Sequence, residues 1–358
     1  MRAIVVFAGI GVLACSSEQT ATTSEYLLQD VTPSAKSESW RIDTSRASIT
    51  VEERIVDPSF GRIGPVGADA EGRLVIYDPT ECKFILFSAD RASRKTFGRC
   101  GEGPGEFGSV VSVSFSKNHL FVVNSEPAFV AWVAEDGTEV RRMSLKDVSA
   151  IINDVEQIDD TTLAVPRVKL ASSKESLIAL VDIRTGRTRV QALKLPGIVT
   201  SNPSARLEYL NICQRPTPDH QTIIAMQQWL MQSVELTADS LKGVSNYHTR
   251  TKYDGGVAPT FPGRSVGRLR PNFRETDVVC NDIGVISWAR TVNWDELPPR
   301  NLNSLLEVRG YDGRRVYLGN NPPGIPPLAR IVAGWRDHLI FVSNDDVPAL
   351  FITRINVH

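Results

Sequence analysis

Short apolar runs separated by turns fill the chain from about Trp40 to its last residue, His358. Typical runs are RLVIYD at 73–78, HLFVVN at 119–124 and HLIFVSN at 338–344. They are rich in β-branched and aromatic residues and recur too closely to be helices. No stretch longer than about ten residues keeps a helical period. This pattern predicts an all-β protein.

The runs form groups of four. Five complete groups begin near residues 66, 111, 153, 210 and 276, and a sixth group, from 329, has three runs. The run ASITVEERIV at 47–56 supplies the missing strand. Four-stranded units that repeat roughly every 40 to 70 residues are typical of a β-propeller. The sequence therefore predicts a six-bladed β-propeller over residues 40–358, with its last blade closed by an N-terminal strand that removes an open edge. A β-sandwich would not explain six similar units.

The N-terminus has a different composition. The apolar run AIVVFAGIGVLA at 3–14 is twelve residues long, too short to span a bilayer but typical of a signal peptide. Its end, VLAC at Val12–Cys15, resembles a bacterial lipobox, which implies cleavage before Cys15 and lipidation of that cysteine. A signal anchor is the alternative. We expect a signal peptide at 1–14, and a lipidated cysteine with a flexible Ser/Thr-rich tether at 15–39.

Location and partner class follow from the same features. Ser16, directly after Cys15, favours the outer membrane, so the expected location is the bacterial cell envelope. The formal net charge of −1 over 358 residues argues against nucleic acid as a partner. We expect contact with the membrane through the lipid alone. The sequence leaves the oligomeric state open.

The stretch FGRCGEGPGEF at 97–107 combines four glycines with two glutamates. A phosphate-binding loop needs a helix after it, but a strand follows here and the Walker lysine is absent. A catalytic pair of Glu102 and Glu106 is an alternative, although nothing in the sequence raises the pKa of either carboxyl. We interpret the stretch as a structural turn between blades, with Phe107 packing between them. The expected turn residues are Gly101, Gly103, Pro104, Gly105 and Glu106, with a positive φ angle at each of the three glycines.

Together with YDPTECKFILFS before it, this stretch resembles six-bladed β-propellers of the NHL/TolB-like superfamily. It is most similar to a bacterial envelope group whose first blade ends in a G-x-GPGE-[FY] signature. The close match covers Val66–Phe107, and the other blades match in strand pattern only. The resemblance implies a six-bladed propeller, often a lipoprotein, with no settled activity.

Four cysteines remain after Cys15. Cys82 and Cys100 flank a hairpin at equal distances from its turn, so a disulfide and two buried thiols both fit their register. Cys213 and Cys280 fall in adjacent inner strands, where we expect buried thiols. No C-x-x-C motif or His/Cys cluster predicts zinc.

Three histidines recur at one position, the turn between the first and second strands of a blade. They are His119, His220 and His338. A catalytic histidine would normally occur once, so the recurrence favours a role in the turn. No Ser-His-Asp arrangement is supported.

The predicted connections differ between the two faces of the ring. Turns after the first and third strands are short, whereas connections after the second and fourth strands are often long, as at 195–206, 251–275, 291–303 and 320–327. Long loops on a rigid scaffold usually carry binding, so we expect a binding face there. Arginines suit carboxylate or phosphate groups, and exposed tryptophans anchor contacts. The expected binding residues are Arg264, Arg268, Arg270, Arg274, Trp229 and Trp294.

Asp78, Asn124 and Asn344 each end the second strand of a blade, where they are expected to cap the next turn. A ring of oxygen ligands for Ca²⁺ is the alternative. We therefore expect a non-enzymatic binding or scaffold lipoprotein that recognises a protein, peptide or glycan. The alternative is a metal-dependent, lactonase-like hydrolase or lyase with a site at the channel mouth, to which Glu81 and Glu102 would also contribute.

Overall fold

Regular structure is all β-strand in the residues that the structure describes. The computed structural model describes residues 43–148, 152, 155–166, 176–194, 211–214, 222–227, 230–236, 241–246, 273–293, 300–311, 314–345 and 347–358. The predicted signal peptide and tether at 1–39 lie outside these residues. Among the described residues, no helix has the length and apolar character needed to cross a bilayer.

The described strands form four-stranded antiparallel sheets, each with its strands in chain order apart from the sheet that holds both ends of the described chain. The first sheet contains β2 (Val66–Ala68), β3 (Leu74–Asp78), β4 (Lys83–Phe87) and β5 (Arg94–Phe97). The second contains β6 (Val110–Ser116), β7 (His119–Asn124), β8 (Phe129–Ala134) and β9 (Glu139–Ser144). The third contains β10 (Glu156–Asp159), β11 (Thr162–Pro166), β12 (Ser176–Asp182) and β13 (Thr188–Lys194).

The remaining strands form three further sheets. The fourth contains β14 (Asn211–Gln214), β15 (Thr222–Gln227), β16 (Leu230–Leu236) and β17 (Leu241–Asn246). The fifth contains β18 (Phe273–Cys280), β19 (Gly284–Asn293), β20 (Arg300–Gly310) and β21 (Arg315–Gly319). The last contains β22 (Arg330–Trp335), β23 (His338–Ser343), β24 (Ala349–Val357) and β1 (Ala47–Val56), in the order β22-β23-β24-β1.

Burial explains the sequence pattern of the strands. Central strands such as β3 are buried on both faces, which is why the first four residues of β3, LVIY, form a continuous apolar run. The outermost strand of the same sheet, β5, is mostly exposed and has the polar sequence RKTF. Apolar clusters fill the spaces between neighbouring sheets; one of them joins Tyr77 and Phe84 of the first sheet to Leu120 of the second.

The sheets follow one another as blades of a propeller. The inner strand β2 contacts the inner strands β6 and β22, and β18 contacts β14 and β22. Close approach between inner strands requires glycine at Gly67, where a Cβ atom would lie 2.6 Å from the carbonyl oxygen of Val113. β1 pairs with β24 from Ala47↔Val357 to Val56↔Ala349, so the two ends of the described chain meet in one blade.

The prediction of a six-bladed propeller requires a correction. Side-chain packing is described for five blades, namely the first, second, third, fifth and last. For the sheet β14–β17 the structure describes strand pairing and the burial of Ile212 and Cys213. Strand pattern predicts pairing well but carries little information on packing between blades. The fold is an all-β propeller with five blades of described core, and not the six that the sequence predicted.

The candidate binding face

The antiparallel order of each blade places its connections on two faces. We call one the short-turn face; its connections in the described residues include 69–73, 88–93, 117–118, 135–138, 160–161, 183–187, 281–283 and 336–337. We call the other the long-loop face; its connections include 57–65, 79–82, 98–109, 125–128 and 320–329. In the described residues, the connections on the long-loop face are often longer than those on the short-turn face, as predicted.

Charged side chains on the short-turn face join neighbouring blades. Arg73 pairs with Asp69 in its own blade and with Glu135 in the next. Lys117 and Asp160 make a similar pair between the second and third blades. These charged side chains are engaged in ion pairs within the ring.

A second charged cluster on the short-turn face attaches β1 to its blade. His338 stacks on Trp335, with ring centroids 4.6 Å apart. Its Nε2 lies 3.1 Å from a carboxylate oxygen of Glu52, and its Nδ1 lies 2.8 Å from one of Asp337. Arg354 contacts both carboxylates, at 3.3 Å and 2.7 Å. Sequence reasoning missed this cluster, because Glu52 and His338 lie at opposite ends of the chain.

On the long-loop face, residues Arg99–Phe107 form what we call the signature loop. The Glu106 carboxylate accepts hydrogen bonds from the backbone N–H of Gly103, at 2.8 Å, and from Arg99 Nε, at 2.9 Å. The Gly103 bond is the main cause that lowers the pKa of Glu106 below its ordinary value, and Arg99 adds to it. A carboxyl held ionised in this way suits a structural anchor better than a general acid.

The glycines of the signature loop serve two needs. Gly101 and Gly105 have φ angles of +145° and +72°, as expected for a tight turn. A positive φ angle was also predicted for Gly103, but this prediction was wrong, because Gly103 does not have a positive φ. A Cβ atom on Gly103 would instead lie 3.0 Å from the Glu106 carboxylate, so the small residue permits that contact.

Arg142, on β9 of the next blade, holds the signature loop in place. Its guanidinium donates to the carbonyl oxygens of Glu102, Gly103 and Glu106, at 2.8 to 3.1 Å. It also lies 4.0 Å from the ring centroid of Phe129. Its partner Glu139, 2.6 Å away, accepts the N–H of Gly105. The sequence did not reveal Arg142, which lies in a strand with the exposed pattern EVRRMS.

Phe107 packs between the first two blades. Its side chain is fully buried and makes an edge contact with Phe84, with centroids 5.0 Å apart. Nearby, the Tyr77 hydroxyl donates to the carbonyl oxygen of Gly108. Burial raises the pKa of Tyr77 to about 12, with Asp78 adding to the effect, so the phenol stays protonated as a donor. The loop and the adjoining blades thus form one packed unit.

Asp78, Asn124 and Asn344, for which the sequence predicted either capping of turns or calcium binding, hold connections between strands in place. Asp78 accepts from the N–H groups of Gly61 and Thr80, both at 2.8 Å. The side chain of Asn124 accepts from the N–H groups of Gly108 and Ser109, at 3.3 and 3.0 Å, and donates to the carbonyl oxygen of Pro127, at 2.8 Å. Asn344 makes a reciprocal pair with the backbone of Ile63, at 2.7 and 2.8 Å.

No group of three or more His, Cys, Asp or Glu side chains is placed to hold a metal ion within the described part of the chain. Calcium binding therefore stays a prediction. The oxygens of Asp78, Asn124 and Asn344 are already used by backbone N–H groups, which favours their role as caps.

The cysteines form two disulfides. Cys82 and Cys100 are bonded with an S–S distance of 2.07 Å, which is one of the two arrangements that their register allowed. Cys213 and Cys280 are also bonded, at 2.05 Å, so the expectation of buried thiols for this pair was wrong. Adjacent inner strands bring them within reach, with a Cα–Cα distance of 5.5 Å.

Most of the expected binding residues lie outside the described residues. They are Arg264, Arg268, Arg270, Trp229 and Trp294, and the lipidation site Cys15 is also outside. Arg274 was expected in a loop, but this placement was wrong, because its backbone belongs to the strand β18.

Blade five extends along the long-loop face. The strands β18, β19 and β20 have 8, 10 and 11 residues. β20 pairs with β21 as far as Leu306↔Gly319, whereas its pairing with β19 continues to Asn293↔Arg300. The six additional residues correspond to about 20 Å of strand. The predicted loop 291–303 is thus shorter than expected, because residues 291–293 belong to β19 and residues 300–303 belong to β20.

Comparisons with known proteins support the fold. The chain is similar to the structure of a DUF4221 family member from Bacteroides vulgatus, with a TM-score of 0.63 and 10% identity, over 88% of this chain and 100% of that one. It is also similar to a Bacteroides fragilis protein assigned as exported, with a TM-score of 0.55 and 11% identity, over 88% and 97%. No protein-family model matches the chain, and no curated protein matches its sequence. At such low identity, the likeness shows a propeller fold alone.

Proposed function

We propose that this protein is an exported, envelope-anchored propeller that binds a partner through its long-loop face. The partner is a protein, peptide or glycan with acidic groups. One observation carries the proposal: the strands β18, β19 and β20 of blade five extend on that face, and the sequence before β18 is rich in arginine. Rigid strands that support variable connections are a common arrangement for recognition.

The use of charge on the two faces supports this proposal. Ion pairs between blades occupy Arg73, Glu135, Lys117 and Asp160 on the short-turn face. The connection before β18 carries Arg264, Arg268 and Arg270, followed by Arg274 in the strand itself. Arginine pairs with carboxylates through two parallel hydrogen bonds, which adds geometric selectivity.

A pull-down from solubilised bacterial envelope tests the binding face. We expect the wild-type protein to capture a partner that a variant with Arg264, Arg268, Arg270 and Arg274 changed to Ala does not capture. Binding should weaken as salt increases, because exposed charges are screened. Equal capture by both proteins would rule out the arginine-dependent interaction.

Paired double variants control for a general loss of positive charge. One variant is Arg268→Ala/Arg270→Ala, and the matched control is Arg184→Ala/Arg187→Ala, which removes two exposed arginines from the short-turn face. The proposal requires that the first variant loses the partner and the second retains it.

The anchor is proposed from Cys15 and the lipobox-like sequence, and the similarity to an exported protein is consistent with it. We expect wild type to fractionate with the outer membrane and Cys15→Ala to become soluble or stay unprocessed. Recovery of both proteins in one fraction, at one mass, would contradict lipidation.

The second candidate is the metal-dependent hydrolase or lyase. It predicts that Ca²⁺ raises the melting temperature of wild type and that Asp78→Asn abolishes the increase. The structural role of Asp78 predicts a lower melting temperature for Asp78→Asn with or without Ca²⁺, so the two roles are distinguishable.

A further inference from the structure

The boundary between blades four and five differs from the boundary on the other side of blade five. Toward the last blade, blade five presents Val279, Ile286, Trp288, Leu306 and Val308, all in one apolar cluster. Trp288 also makes an edge contact with Phe341 of the last blade, with ring centroids 5.4 Å apart.

The opposite face of blade five carries buried polar residues beside apolar ones. Register places Val278, Ser287 and Glu307 in one row, and Cys280, Val285 and Arg309 in the next. Ser287, Glu307 and Arg309 are only 1%, 2% and 2% exposed. Arg309 Nη2 lies 2.7 Å from a Glu307 carboxylate oxygen, and Arg315 Nε lies 3.1 Å from the same oxygen.

Buried charge stabilises such a boundary less than apolar contact does. Removing a carboxylate and a guanidinium from water costs free energy that their attraction only partly offsets. At this boundary Cys213, Cys280 and Val285 pack together, and the disulfide lies among them.

We propose that the Cys213–Cys280 disulfide is a covalent latch that holds blades four and five together, and that the ring opens at this boundary when the latch is reduced. The bond joins the inner strands β14 and β18 across 67 residues of chain. In contrast, Cys82–Cys100 closes a loop within one blade and its connection, with a separation of 18.

The chemistry of opening is thiol–disulfide exchange. A dithiol reductant breaks the S–S bond, supplies two electrons and two protons, and becomes a disulfide itself. Cys213 and Cys280 are each 6% exposed, whereas Cys100 is exposed at the surface. The reductant should therefore react first at Cys82–Cys100, and later at the latch.

The latch also affects the proposed binding face. β17 and β18 carry the two ends of the connection that contains Arg264, Arg268 and Arg270. By fixing β18 against blade four, the disulfide fixes the spacing of those ends. This consequence rests on the proposed function, whereas the latch itself does not.

Graded reduction of the full-length wild-type protein tests the latch. Free thiols are trapped and assigned by mass spectrometry at each dithiothreitol concentration, and hydrogen exchange is measured in parallel. We expect protection in β18–β20 to fall at least tenfold when Cys213–Cys280 is reduced, and to be unchanged while only Cys82–Cys100 is reduced. Unchanged protection in β18–β20 after reduction of Cys213–Cys280 would overturn the proposal.

Two matched variants separate the latch from a general loss of stability. Cys213→Ser/Cys280→Ser should lose protection first in β18–β20, whereas Cys82→Ser/Cys100→Ser should lose it first in β4 and β5. An identical pattern in both variants would contradict the latch. In the envelope pull-down, loss of the partner from Cys213→Ser/Cys280→Ser but not from Cys82→Ser/Cys100→Ser would link the latch to binding. If the first variant loses protection in β18–β20 but still captures the partner, the link to binding is refuted and the latch itself is not.

Discussion

At the residue scale, the sequence indicated which side chains form the signature loop but not what holds them. Glycine spacing predicted the turn at Gly101 and Gly105, because positive φ is a local property. Arg142, which holds the loop through its guanidinium, lies 36 residues after Glu106 in the chain. The sequence of its strand is typical of a solvent-exposed strand. Contacts between separate elements depend on the ring geometry, which local sequence does not contain.

Replacing Arg142 tests its role in holding the loop. Arg142→Lys keeps the charge but loses the planar fork that reaches three carbonyl oxygens, so we expect a loss of about 1 to 3 kcal/mol in unfolding free energy. Urea denaturation measures this loss. Arg99→Lys is the control, because the Arg99 side chain is 73% exposed, and it should change stability very little. Equal effects of both substitutions would contradict the proposed role of Arg142.

The Glu106 carboxylate predicts a pH dependence. Its pKa in the folded state lies below the ordinary value of 4.5, chiefly because of the Gly103 N–H. Its contribution to stability is therefore complete above that value and is lost as the pH falls through the folded-state pKa. We expect Glu106→Gln to melt below wild type at pH 7 and the difference to shrink by pH 3. A difference that stays constant with pH would exclude this contribution.

At the element scale, alternation and turn spacing predicted the strand order well. The extent of the strands in blade five was harder to predict. Asn293 and Arg300 were expected in a loop, yet they pair as the last residues of β19 and β20. Their segment has few apolar residues, so the period of two is weak there, and cross-strand hydrogen bonds extend the ladder beyond the pattern.

Gly67 tests how closely the inner strands approach. A methyl group there would lie 2.6 Å from the Val113 carbonyl, so β2 and β6 would have to separate. We expect Gly67→Ala to lower the unfolding free energy by about 1 to 3 kcal/mol, the usual cost of overpacking. Gly108→Ala is the control, because its nearest atom is 3.9 Å away. Chemical denaturation of both variants measures the unfolding free energy. If Gly67→Ala is as stable as wild type, the close contact between β2 and β6 is contradicted.

At the scale of the whole molecule, closure of the ring depends on contacts that are distant in sequence. Supply of the missing strand by residues 47–56 was predicted from a count of strands, and β1 indeed pairs with β24. The disulfide between Cys213 and Cys280 was not foreseen, because the spacing of inner strands is a property of the assembled ring. Packing of the sheet β14–β17 likewise could not be derived from strand pattern.

Disrupting β1 should open the last blade. Ile49 is 7% exposed, pairs with Ile355 and belongs to the apolar cluster of that blade, so Ile49→Asn should release β1. The edge of β24 would then be exposed, and exposed edges pair with other chains. We expect a loss of about 2 to 5 kcal/mol in stability, together with oligomers on size-exclusion chromatography. Thr50→Asn, at the adjacent exposed position, should remain as stable as wild type. If Ile49→Asn elutes and unfolds as wild type does, β1 is not what closes the ring.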